Sequence, residues 1–120
     1  VSQGAMGVQI REDDPEVARW VRALDHEPTR RTTAAERAFL RRVEGGCQVP
    51  VGALGELREG GDVLELRGII CSLDGEKGVE GRRSGPPAEA EALGRALAGE
   101  LLEAGGEAIL RGIRRRGERA

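Results

Sequence analysis

The stretch Glu44-Gly45-Gly46-Cys47-Gln48-Val49-Pro50 constrains the fold more than any other, because helical periodicity ends there and extended periodicity begins. Ahead of it, Thr33 to Val43 carries Ala35, Phe39, Leu40 and Val43 along one helical stripe. Thr33 followed by Glu36 has the spacing of a capping box, with Thr33 as N-cap. Gly45 suits the left-handed residue that closes a helix, and Gly46 frees the backbone just before Cys47. The residue before Pro50 is biased toward extended backbone, so the chain should leave as a strand. A thiol is thus delivered at a bend.

The flanking segments predict what this bend joins. Val49 to Leu57 reads as a strand, Arg58 to Asp62 as a hairpin turn, and Val63 to Leu73 as the longest strand. Asp74-Gly75 is a turn signal, and Lys77 to Ser84 makes a third, more polar strand suited to an edge. After the break at Gly85-Pro86-Pro87, Ala88 to Ala104 predicts a helix with Leu93, Leu97, Leu101 and Ala104 on one side. A short helix over Glu107 to Arg114 follows, and the arginine-rich tail should fray. Upstream, Glu12-Asp13-Asp14-Pro15 reads as a helix start with an acidic N-cap, followed by Val17, Val21 and Leu24 on one face, and Leu24 is expected in the core. Asp25 to Arg31 reads as a loop, and Gly4 to Arg11 alternates as a strand. The class expected is α+β, a small three-stranded antiparallel sheet with helices packed on one face.

Composition narrows the function. The chain has 120 residues, one domain's worth, with net charge -2 from 19 basic and 21 acidic residues interspersed. That mixture offers no single-sign field of the kind that nucleic acid selects, so no nucleic-acid partner is expected. No apolar run approaches a membrane span, and no membrane partner is expected. The two cysteines, Cys47 and Cys71, make no disulfide scaffold and no zinc-like spacing, which points to a reducing cytoplasm and no metal. With aromatics at 2%, the core must rest on aliphatic residues.

Three blocks in order resemble the porphobilinogen deaminase family, also called hydroxymethylbilane synthase. They are Ser2-Gln3-Gly4-Ala5 with Arg11, then Ala35-Glu36-Arg37 with Leu40 and Glu44 through Gly52, then Ser72-Leu73-Asp74-Gly75. The similarity thins after about Leu110. It implies that Cys47 holds a dipyrromethane cofactor through a thioether, and that Gln3 lies along the active-site cleft near the bound oligopyrrole. Ser2 stands where the family commonly has glycine. The resemblance also implies that residues 1–12 belong with a preceding domain, residues 13–120 forming the C-terminal cofactor-anchoring domain. Partners would then be porphobilinogen, the growing oligopyrrole and two N-terminal domains, which carry the main arginines and the catalytic aspartate. No catalytic residue is assigned here, and the isolated fragment is expected to be inactive. Val1, not a start methionine, agrees with a chain cut from a longer one.

Each candidate has a plainer reading. Cys47 could fill a helix-to-strand corner as a small buried residue, and its position after a helix C-terminus does not favour ionisation unless Arg41 and Arg42 offset it. Gln3 could be a surface side chain. Arg11, Arg82 and Arg83 could bind carboxylates but read as solvated strand-end residues. His26 reads as an exposed loop residue and Cys71 as sheet packing. A non-catalytic tetrapyrrole-binding or interaction module of the same fold is the alternative function.

Overall fold

A computed structural model describes residues 4–43 and 50–119 of the chain, with side chains followed as far as residue 115. Alternation organises the sheet. Strands β1 (Val51–Arg58), β2 (Val63–Cys71) and β3 (Gly78–Gly85) pair antiparallel in the order β1-β2-β3. On central β2, Leu64, Leu66 and Ile70 are fully buried while Arg67 and Ile69 stay exposed, so one face meets the core and the other is open. The register places Ile70 between Val51 and Val79, and Leu66 between Gly55 and Arg83. The expected α+β class, with a three-stranded antiparallel meander, is what forms.

Among the described residues the α-helices are α1 (Pro15–Arg22), α2 (Glu27–Val43), α3 (Ala90–Leu101) and α4 (Glu107–Arg119). The Asp14 carboxylate caps α1, accepting from the Val17 N–H at 3.1 Å, and Pro15 costs nothing where no intrahelical donor is needed. Helices α2 and α3 lie against each other and on the inner sheet face, α2 over β1 and α3 over β2 and β3. Ala35, Phe39, Val43, Leu93, Leu97 and Leu101 meet Leu64, Leu66 and Ile70 in one cluster. The aliphatic core predicted from composition is built around the single phenylalanine.

Close approach of α2 and α3 depends on Gly94. A Cβ there would collide with the Ala35 carbonyl and come within 2.8 Å of the Ala38 Cβ and 2.9 Å of the Phe39 nitrogen. Two helix backbones would have to separate. Gly94→Ala is therefore expected to destabilise the chain by about 3 kcal/mol, the upper part of the usual overpacking range, despite alanine's better helix propensity. Urea unfolding monitored by circular dichroism checks it, and a midpoint equal to the parent's would mean that the helices yield freely.

Several local expectations fail for identifiable reasons. Thr33 is not an N-cap: α2 begins at Glu27, and the Thr33 hydroxyl donates to the Thr29 carbonyl at 2.8 Å from inside the helix. The expected loop over Asp25 to Arg31 is largely helix, because His26 supplies the cap instead, its Nδ1 accepting from the Thr29 N–H at 3.3 Å. Leu24 is 72% exposed, beyond the end of α1, so it is no core residue. Residues 5–11 form no strand, and Met6 and Val8 are exposed, since no described strand lies beside them to supply backbone partners. Helix α3 stops at Leu101 rather than Ala104. A wide turn over Leu102–Gly106, with Gly105 at φ +126°, swings the chain into α4 and leaves Ala104 exposed. Helix α4 continues to Arg119, past the expected end at Arg114.

Candidate functional site

The candidate site lies where α2 hands over to β1. Its two stems are well anchored: Val43, the last residue of α2, is buried, and Val51, the first of β1, packs against the core. Just ahead of β1, the Pro50 carbonyl accepts from the Cys71 N–H at 2.9 Å, extending the β1–β2 ladder by one rung. Residues 44–49, and with them Cys47, lie outside the described residues; so does Gln3. The described structure therefore defines the stems that carry the thiol and not the thiol itself.

One interaction missed by sequence reasoning ties these stems together. Glu36, only 6% exposed, accepts at Oε2 from the Gly55 N–H at 3.0 Å, joining the middle of α2 to the middle of β1. The spacing from Thr33 suggested a capping role; burial beside an edge strand directs the carboxylate to a sheet N–H instead. Glu36→Ala should leave that half-buried N–H without its acceptor and lower stability by about 2 kcal/mol. Glu36→Gln retains an acceptor oxygen, so chemical denaturation should find most of the loss recovered; equal losses would assign the effect to charge.

The remaining candidates are scattered. Arg41 and Arg42 are exposed on the last turn of α2 and form no ion pair with a described residue. Arg11 is exposed ahead of α1. Arg82 and Arg83, adjacent in β3, point to opposite faces: Arg83 reaches Glu100 of α3 at 3.3 Å, and Arg82 stands on the open face beside Arg67. His26 is exposed, as expected, and is engaged with Thr29 at 2.6 Å. Cys71 is half-buried at the end of β2. In the Ser72-Leu73-Asp74-Gly75 turn, the Ser72 hydroxyl bonds Asp74, and Asp74 Oδ1 accepts from the Glu76 N–H at 3.1 Å. Among the described residues no group of three or more His, Cys, Asp or Glu could hold a metal, and no helix is long and apolar enough to cross a membrane.

A single-layer sheet covered on one side by helices defines a small α+β domain. Residues 31–103 match the family model described as porphobilinogen deaminase, C-terminal domain, and the chain belongs to that family. It is 52% identical over 114 residues to the porphobilinogen deaminase of Desulforudis audaxviator, covering 95% of this chain and 36% of the relative. It is 51% identical over 110 residues to that of Gloeobacter violaceus, covering 92% and 33%. The protein of that name from Synechococcus elongatus is 47% identical over 110 residues. The chain thus spans about a third of the length of these relatives.

Proposed function

We propose that this chain acts as the C-terminal domain of a porphobilinogen deaminase in tetrapyrrole biosynthesis, with Cys47 as the covalent anchor of a dipyrromethane primer. Membership of the C-terminal family is the observation that carries the reading. Residues 13–120 would be the anchoring domain; residues 1–12, of which the described residues pair with no described strand, would belong with a neighbouring domain. Porphobilinogen, the growing oligopyrrole and N-terminal domains would be the partners, the compartment would be the cytoplasm, and Gln3 would line the cleft.

The chemistry asked of Cys47 is simple to balance. The thiol and an aminomethylpyrrole give a thioether and ammonia: the C–N bond breaks, the C–S bond forms, and the thiol proton leaves with the amine. Thiolate is the attacking form, and Arg41 and Arg42, exposed on the helix end before the junction and in no ion pair with a described residue, would favour negative charge there. The same guanidiniums suit a group bearing acetate and propionate arms. When bound, the dipyrromethane would supply the nucleophilic pyrrole end on which four porphobilinogen units are joined. The chain's own contribution is to hold and carry that primer.

Intact-mass measurement of the parent enzyme expressed in cells tests the anchor. An increment of two pyrrole rings that maps to the peptide containing Cys47 supports it, and an unmodified Cys47 in active enzyme overturns it. The isolated chain should release no ammonia from porphobilinogen, since the catalytic aspartate would lie outside it.

A further inference from the structure

The open face of the sheet carries a second constellation of charge. Arg67 of β2 and Arg82 of β3 are direct cross-strand partners, so their Cβ atoms project side by side, about 5 Å apart, from an uncovered surface. Like charges in that position repel, yet neither guanidinium forms an ion pair with a described residue. Glu80 projects from the same face one rung away, opposite Ile69, and is likewise unpaired. The remaining carboxylates of this face, Glu56 and Glu65, are already engaged by Arg58 at 3.1 Å and 3.6 Å. Beneath Arg67, Glu80 and Arg82 lies a shallow recess of about 580 Å³, whose apolar floor is Leu54 and Ile69, 49% and 38% exposed, opened further by Gly52.

The geometry points to a binding site for a small ring carrying two carboxylates and one ammonium. Arg67 and Arg82 each take a carboxylate in a forked pair, Glu80 takes the ammonium about 7 Å along the strand, and the ring lies on Leu54 and Ile69. Porphobilinogen has this set of groups, which makes it the probe of choice; that choice rests on the function proposed above. The recess would then hold the monomer on the anchoring domain, apart from the Cys47 junction. A second copy of the chain is a poorer occupant. Three strands of eight or nine residues present roughly 400 Å², about half of what each partner contributes to a stable interface.

Titration of the 120-residue chain carrying Cys47→Ser with porphobilinogen, followed by amide NMR, tests this site without interference from thioether formation. Saturable shifts are expected at Leu54, Arg67, Ile69, Glu80 and Arg82. Arg67→Gln and Arg82→Gln should each weaken binding about tenfold. Glu80→Gln should weaken porphobilinogen but tighten phthalate, which has the two carboxylates and no ammonium. Absence of saturation, shifts unaltered by the arginine variants, or a doubled mass in sedimentation that accounts for the shifts would each overturn the site. Because Cys47→Ser removes the anchor and not the face, this site and the cofactor reading can fail separately.

Discussion

Cys47→Ser in the parent enzyme is expected to abolish the two-ring mass increment and, with it, turnover of porphobilinogen. Serine preserves size and can hydrogen-bond, but its hydroxyl stays protonated at neutral pH where a thiol is partly ionised, and the oxygen nucleophile is far weaker. The effect on folding should be small, within about 0.5 kcal/mol, the usual range for a thiol in a glycine-rich loop that contributes little packing. The described core is built from residues of α2, the inner sheet face, α3 and Leu110 of α4. Mass spectrometry and thermal unfolding of the same variant separate the two roles. Loss of the increment with an unchanged transition marks an anchor, whereas a loss of several kcal/mol would make the residue structural.

Phe39→Ala should give the largest loss of stability in the chain, about 4 kcal/mol. Phe39 is fully buried and is the largest side chain of the core, placed between α3 and the central strand. The sheet is shaped to receive it: a Cβ at Gly68 would come within 2.7 Å of two ring carbons. Truncation leaves a void bounded by backbone on the sheet side, which cannot collapse by moving a side chain. With total stability of about 5–15 kcal/mol typical of a domain, the variant would be close to unfolding at 37 °C. Gly68→Ala sharpens the test. Alone it should destabilise by overpacking; combined with Phe39→Ala it should cost much less, because its methyl then enters the void. Additive losses in urea denaturation would show that the two positions do not share the space assigned to them.

Thr33 with Glu36 satisfies the capping spacing, but spacing cannot tell a first turn from a third. His26 could be recognised as the cap only with its ring seen against the Thr29 N–H. Glu36 was then released to bind Gly55, 19 residues further on, a contact that local patterning cannot register. Periodicity puts Leu24 on the inner face of a helix, but α1 ends before it and presents no buried residue.

Hydrophobic alternation and turn residues by themselves determined the three-stranded meander and its covered face, since every second residue of β2 must leave water. Motif order by itself determined the family and singled out Cys47. Only the tertiary structure decided how closely α2 meets α3 at Gly94, how the Phe39 ring seats over Gly68, and which arginines stand together. Arg67 and Arg82 are 15 positions apart in the chain. They become neighbours solely through strand register, which is set by the packing of one sheet face and leaves the charges of the other to fall where it puts them.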